Sequence, residues 1–387
     1  MTTIVSMSDF NTTQSLVVPE THPVRTAQPV TNHTNGSTGC TESYLGPQYS
    51  LVIQILLSCF LALVILLTIV GNILVISTVA LFRSLRSLTN YFVVSLAVAD
   101  LLVGVIVMTL GTQYEVSGRW RHGEIFCLVF TSMDISLTTC SIMHLSCIAF
   151  DRYYAICHPF KYPTKMSHRK MVLMIAMCWV VPVIMAYVPI MNRWNTIGIE
   201  PVVEDTKCEL GPDSCVFLVN KEFSLIASTL SFYLPAIMMT LAYYQVYRAA
   251  RRQMQQIISL ERAMNNNENM RREKKAAKTL GIIMGCFLVC WMPFFVANIV
   301  EPLCGYCITR SCALCSKFFL WLGYINSTLN PMIYAFFNRS FRRAFKRILS
   351  CSSCCDVDNR DFDPAVSTAL QGRSSRRHQN GEVVNNT

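Results

Sequence analysis

Apolar residues in this chain gather into long unbroken blocks. They do not form the one-sided stripe of a water-soluble helix or the strict alternation of a half-buried strand. Seven blocks stand out, at about 51–80, 89–112, 126–150, 171–192, 223–247, 278–303 and 316–337. Each is near or above the roughly 20 residues that a helix needs to cross a hydrocarbon core. Several contain a proline or a lone charge, which neighbouring helices accommodate inside a bundle. The short alternating segments of a membrane β-barrel are not seen in the sequence. The expected fold class is an all-α membrane protein, a seven-transmembrane helix bundle over residues 50–338. It is flanked by a tail at 1–49, a short amphipathic surface helix at 339–350 and a polar tail at 351–387 that we expect to be disordered. No basic stretch followed by an apolar core precedes Ser50, so no cleaved signal peptide is expected.

Composition agrees. The 387 residues are 52% hydrophobic and 14% charged, whereas soluble domains average about 25% charged. The formal charge of +10 at first suggests nucleic acid, but its distribution points to topology. With the N-terminus outside, 25 of the 33 basic residues fall on the inner side, as the positive-inside rule requires. Nucleic-acid binding is therefore not expected, and the protein is placed in the plasma membrane with its N-terminus extracellular and its C-terminus cytoplasmic. Three acceptor sequons, at Asn11, Asn32 and Asn35, lie on the outer tail and mark it as glycosylated. Phe341, Ala344 and Phe345 share one face of a basic segment, which reads as a helix on the inner membrane surface. Cys351, Cys354 and Cys355 follow it as candidate palmitoylation sites.

Few charges sit at membrane depth, and such charges are costly enough to imply a function. Asp134 lies in the third block, with Thr138 one turn inward on the same face. The sixth block offers Trp291, Phe294 and Phe295, and the seventh Tyr324. A carboxylate ringed by aromatic faces suits a small organic cation, through charge pairing and cation–π attraction. Asp100 in the second block has Ser141, Asn326, Ser327 and Asn330 as prospective neighbours, an oxygen-rich set able to hold a sodium ion or a water network. Asp151-Arg152-Tyr153 ends the third block, and Arg152 has two acidic partners available, Asp151 and Glu273. A pair that ties two helix ends and can break is a two-state element. Pro293 and Pro331 lack an amide donor and should kink their helices.

The cysteines on the outer side are expected to be oxidised. Cys127 with Cys215 and Cys40 with Cys208 make two pairs, and Cys304-Gly-Tyr-Cys307 and Cys312-Ala-Leu-Cys315 make two CxxC units. Outside the cell such units favour disulfides over zinc. The seven histidines are scattered, with no HExxH, P-loop or GxGxxG, so no enzyme and no cofactor beyond the sodium ion is expected. No internal repeat points to a transporter.

These residues resemble the amine-binding group of the rhodopsin-like G-protein-coupled receptors, over about residues 50–350. The resemblance rests on Gly71-Asn72, Leu96-Ala97-Val98-Ala99-Asp100, Trp120 with Gly123 and Cys127, Asp151-Arg152-Tyr153, Trp179, Pro235 with Tyr243, Cys290-Trp291-Met292-Pro293, and Asn330-Pro331 with Tyr334. It implies that Asp134 anchors an amine above the switch residue Trp291. It implies that Pro235, Ile142 and Phe287 relay binding, and that Arg152, Tyr243 and Tyr334 rearrange to admit a G protein of the stimulatory type, raising cyclic AMP. Arrestin and receptor kinases are further implied partners. Ser228 and Ser231 are placed to hydrogen-bond a ring hydroxyl of the ligand, while Ala227 disfavours a catechol. Two branches share the motifs. The run Asn298–Pro302, the run Trp321–Ser327 and the run Cys215–Lys221 are similar to type-4 serotonin receptors. Tyr162–Lys165, Ala250–Gln253 and Arg272–Leu280 are similar to trace-amine-associated receptors, toward which the balance leans. Glu115, Glu124 and Glu301, near the outer rim, would give a polyamine a second anchor.

Overall fold

Helix after helix carries its large apolar residues outward. The structure, a computed structural model, describes residues 50–211, 214–261 and 268–350. Asn11, Asn32, Asn35, Cys40, Cys351, Cys354 and Cys355, and the tails that hold them, lie outside the described residues. Every expected span is helical: α1 (Leu51–Leu81), α2 (Leu88–Ser117), α3 (Gly123–Cys157) and α4 (His168–Met191). α5 runs through Lys221–Ser228, a π turn at Thr229–Tyr233 and Leu234–Glu261. α6 is Glu268–Leu303, α7 is Ala313–Phe337 and the surface helix α8 is Arg339–Leu349. No strand occurs among the described residues.

By length and composition alone, α1 to α6 qualify as membrane spans among the described residues, and α7 does not. The reason is local: Asn326, Ser327, Thr328 and Asn330 dilute its apolar content, and all four are buried inside the bundle. Hydropathy averages over both faces of a helix, whereas burial separates them.

The helices close a ring. α1 touches α2 and α7, α5 touches α6, α6 touches α7, and α3 lies inside against α2, α4 and α5. The outer faces of α1 and α4 expose Leu56, Phe60, Leu66, Val172, Leu173 and Val180, the pattern of a protein whose surroundings are hydrocarbon. The interior, though largely apolar, also holds polar groups, with Thr68, Asn72, Asp100, Thr139, Ser141 and His144 fully or nearly fully buried. In hydrocarbon each of these groups needs an internal partner. Thr68 and Thr328 bond across α1 and α7 at 2.6 Å. Asn72 donates to the Ser327 carbonyl at 3.2 Å. Trp179 of α4 donates to Ser95 of α2 at 2.9 Å, and Ser95 bonds His144 of α3 at 2.8 Å. Polar pairs thus fix which helix faces which, a role apolar packing against lipid performs weakly.

Helix also forms outside the seven apolar blocks, for simple reasons. The segment 248–277, between the fifth and sixth apolar blocks, is helical to Glu261 and again from Glu268. Its Ala, Arg, Gln, Met, Glu and Lys residues favour helix, with neither Gly nor Pro to stop it. The outer segment 193–222 contains a helix, Glu200–Leu210, opened by Pro201 in its first turn, where a missing amide costs nothing. α8 matches its expected position. Asn338 caps it by accepting from the Ser340 and Phe341 amides. Phe341, Ala344 and Phe345 are buried, with Phe341 stacked on Tyr334 of α7 at 5.5 Å.

Candidate functional site

At one end of the bundle a disulfide joins Cys127, in the first turns of α3, to Cys215 in the segment before α5. It draws Phe217 and Val219 over a cavity of about 240 Å³ enclosed by α2, α3, α5, α6 and α7. Asp134 stands on the α3 wall of this cavity. Tyr324 donates to its Oδ2 at 2.7 Å, and Thr138 approaches Oδ1 at 3.4 Å, a weak contact by hydrogen-bond standards. Among the described residues no basic side chain pairs with it. A carboxylate held by two hydroxyls, open to a mostly apolar cavity, keeps its charge available for an arriving cation.

The aromatic wall follows from helical spacing. Trp291, Phe294 and Phe295 all line the cavity. Trp291 meets Phe294 and Phe295 at 5.9 Å each and Tyr324 edge-on at 6.4 Å. Phe295 stacks on Phe232 at 4.4 Å. Phe232 is buried because the π turn at Thr229–Tyr233 adds one residue to that turn of α5 and re-aims its side chains. Trp291 itself sits against Gly323 of α7, where an added Cβ would lie 2.5 Å from its ring.

The opposite wall is polar. Ser228 and Ser231 line it, as does Asn298 of α6. Asn298 donates to Ser228 Oγ at 2.9 Å, and its carbonyl accepts from Ser224 at 2.6 Å. Ser231 donates to the Ala227 carbonyl of its own helix at 2.6 Å, leaving its oxygen as an acceptor. Ser228 in turn keeps its own O–H to donate. Asn298 and Trp321 were not singled out for the cavity from the sequence. Asn298 is seven residues after Trp291, and Trp321 three before Tyr324, so both share a face with a residue that was. Phe217 and Val219 carry no such periodic signal, since the disulfide and a hydrogen bond from Tyr306 to the Val219 carbonyl bring that segment there.

The three rim acids differ in how they are partnered. Glu115 is paired with Lys317 at 2.7 Å, and Glu124 with Lys207 at 2.7 Å and Arg193 at 3.2 Å. Glu301 accepts from the Thr309 amide at 2.8 Å. A polyamine reaching from Asp134 would have to displace an existing cation at Glu115 or Glu124, whereas no cation is paired with Glu301 among the described residues. The CxxC units are closed within themselves, as Cys304–Cys307 and Cys312–Cys315. Of the expected Cys40–Cys208 pair, Cys208 lies in the outer-segment helix and Cys40 outside the described residues.

Deeper in the bundle, Asp100 is completely buried. Its Oδ1 accepts from Ser141 at 2.9 Å and Ser327 at 2.8 Å, and its Oδ2 from Asn330 at 2.7 Å. Asn326 is buried one turn from Asn330. Carboxylate and hydroxyl oxygens from three helices are hard donors, and the hydroxyl oxygens retain lone pairs while donating. The set therefore fits a sodium ion held by Asp100, Ser141 and Ser327, with Asn326 and Asn330 behind them.

At the far, basic end, Asp151 is completely buried. Its Oδ2 accepts from Thr89 at 2.6 Å and from Arg152 at 2.7 Å, and its Oδ1 from Tyr162 at 2.8 Å. Arg152 also donates to Thr89. Of its two prospective acids Arg152 is thus held by its neighbour, while the side chain of Glu273 lies outside the described residues. Thr89 and Tyr162 complete this cluster and were not anticipated, because nothing in the chain shows that α2 and the segment after α3 meet there. Burial, then the hydrogen bond to Asp151 and its charge, raise the Tyr162 hydroxyl above the ordinary tyrosine range, so it stays a donor. Tyr153 is half-buried and bonds His158 at 3.2 Å. Ile142 and Phe287 are buried in the core below Trp291, as is Pro235. Tyr243 is half-buried and Tyr334 buried between this cluster and Asp100. Pro331 packs on Gly71 of α1, where a Cβ would come within 2.9 Å of the ring.

Comparison with known proteins gives a consistent answer. The chain is 48% identical over 329 residues to 5-hydroxytryptamine receptor 4 of Homo sapiens, covering 81% of this chain and 83% of that one. It is 40% identical to octopamine receptor beta-1R of Drosophila melanogaster, over 81% of this chain and 65% of that one. It is 39% identical to the D(1) dopamine receptor of Carassius auratus, over 78% of this chain and 90% of that one. None of the three carries a trace-amine name. Residues 71–334 match the family described as 7 transmembrane receptor (rhodopsin family). That family consists of multi-pass membrane receptors rather than enzymes, and this chain belongs to it.

Proposed function

We propose that the protein is a biogenic-amine receptor of the plasma membrane whose ligand is an arylalkylamine bound in the cavity under the Cys127–Cys215 disulfide. The observation that carries this reading is the Asp134 carboxylate, held by Tyr324 and Thr138 and without a basic partner, facing Trp291, Phe294 and Phe295. The ammonium pairs with Asp134 and the aromatic body lies among the rings. A single polar substituent reaches Ser228, Ser231 and Asn298. The similarity to serotonin, octopamine and dopamine receptors supports the same ligand class. The lean toward the trace-amine branch finds no support in those relatives, and the polar wall favours a ring that carries a substituent over a bare one.

In this reading the disulfide end is extracellular with the N-terminal tail, which is glycosylated at Asn11, Asn32 and Asn35. The basic end is cytoplasmic. Ligand binding favours a packing in which α6 pivots at Pro293. The inward movement passes through Trp291, Phe287, Ile142 and Pro235, and the cluster of Arg152, Tyr243 and Tyr334 rearranges to receive a stimulatory G protein. Ligand action is a population shift between two packings. Arrestin and receptor kinases act on the cytoplasmic side, and Cys351, Cys354 and Cys355 carry the lipid anchor.

The test is a panel of amines on cells that report cyclic AMP, comparing serotonin with tryptamine, octopamine with phenylethylamine, and each with a polyamine. The hydroxylated member of each pair is expected to be the more potent. Asp134→Asn is expected to lower potency by about 100-fold or more, because breaking a desolvated charge pair costs on the order of 3–5 kcal/mol. An undiminished response in that variant, at equal surface expression, would place the ligand elsewhere.

A further inference from the structure

Between α6 and α7, residues Cys304 to Cys315 hold four cysteines, closed as two successive clips. The first encloses Gly305 and Tyr306, which take φ of 69° and 62°. Glycine adopts this left-handed region freely, whereas a tyrosine pays for it sterically. The Tyr306 ring is nonetheless buried, and its hydroxyl donates to the Val219 carbonyl at 3.0 Å. Its amide donates to the Glu301 carbonyl at 2.8 Å, at the end of α6. Val219 lines the cavity that holds Asp134. One line of contacts therefore runs from the small covalent ring, through a tyrosine in a disfavoured conformation, to the roof of the cavity.

The two kinds of bridge at this end differ in access and in restraint. Cys304 is exposed, whereas Cys127 is buried. The Cys127–Cys215 bond spans 88 residues and the Cys304–Cys307 bond spans 3. A bridge restrains the unfolded chain more as the loop it closes grows, so the short clip is the one more readily given up. Thiol–disulfide exchange also needs an accessible sulfur to attack.

We propose that Cys304–Cys307 is an exchange site for a dithiol on the outer side, and that opening it frees Tyr306 from Val219 and loosens the roof of the cavity. The consequence for ligand rests on the amine-receptor reading; the exchange itself does not. One thiolate of the dithiol attacks Cys304 Sγ, the bond to Cys307 breaks, and Cys307 leaves as a thiolate that takes up a proton. The second thiol of the reductant then attacks the mixed disulfide and releases Cys304, which is protonated in turn. The receptor gains two electrons and two protons, and the dithiol ends as its own disulfide.

The experiment uses full-length receptor in membranes, given a brief pulse of dithiothreitol and then a membrane-impermeant maleimide. Peptide mapping is expected to find Cys304 and Cys307 labelled before Cys127 and Cys215. Hydrogen exchange over residues 214–220, measured without amine, should quicken after the pulse, and amine affinity should fall several-fold and recover on reoxidation. Tyr306→Phe should reproduce the affinity loss with labelling unchanged. Cys304→Ser/Cys307→Ser should show the loss without any reductant and no further loss with it. Failure of Cys304 and Cys307 to label first would overturn the exchange site. Labelling with unaltered exchange at 214–220 would overturn the coupling. If no amine binds the oxidised receptor, the amine reading fails, while labelling and hydrogen exchange still decide the redox site.

Discussion

Gly323 of α7 and Trp291 of α6 share one small volume at the floor of the cavity that holds Asp134. A methyl group on Gly323 would lie 2.5 Å from the indole, inside any tolerable contact. Gly323→Ala is expected to push Trp291 off its position and lower amine affinity by about 10-fold, since overpacking a close-packed site costs roughly 1–3 kcal/mol. Ligand binding and indole fluorescence of the purified variant check this, and an unchanged affinity would mean the ring has slack. Asp134 and the three aromatic residues were legible in the sequence because charge at membrane depth and helical spacing are both local signals. That Gly323 is small for the sake of a ring on another helix was not. A glycine in an apolar block has many possible reasons, and only the packed pair selects one.

Among the elements, α8 shows how much a short helix depends on its ends. Its apolar face was readable from Phe341, Ala344 and Phe345. Its cap is Asn338, which accepts from two otherwise unpaired amides. Asn338→Ala is expected to cost about 1 kcal/mol of helix stability, seen as faster hydrogen exchange over residues 339–349, with exchange in α3 unaltered. Equal protection in both proteins would show that burial of Phe341 against Tyr334 suffices without the cap. The π turns in α2 and α5 were not legible. At Val103–Met108 and Thr229–Tyr233 the residues, VGVIVM and TLSFY, carry no signal of a wider turn, and that turn is selected by what it packs against. In α5 the outcome is Phe232 and Ser231 both turned inward.

For the whole molecule the informative site is Asp100, because three helices meet there. Ser141 of α3 and Ser327 and Asn330 of α7 close on a carboxylate of α2. A sodium ion in that set stabilises the packing in which they converge. An activating amine that favours a different packing must then bind more weakly when sodium is present, by the reciprocity of linked equilibria. Replacing sodium by potassium at constant ionic strength is expected to raise agonist affinity by about 5-fold or more. Asp100→Asn should remove the difference. Equal affinities in the two salts for the unaltered receptor would reject the ion and leave the alternative of a water network.

The sequence by itself determined the seven helical blocks, a few residues that helical spacing puts on one face and the kind of guest the cavity suits. Those follow from hydropathy blocks, helical periodicity and the cost of a charge away from water, all read along one chain. Tertiary structure decided which groups are spent and which remain available. Glu115 and Glu124 looked like spare anions until Lys317, Lys207 and Arg193 came to rest beside them, and Asp134 kept its charge because none did. Whether a polar group is satisfied depends on partners tens or hundreds of residues away, and a linear pattern does not contain those distances.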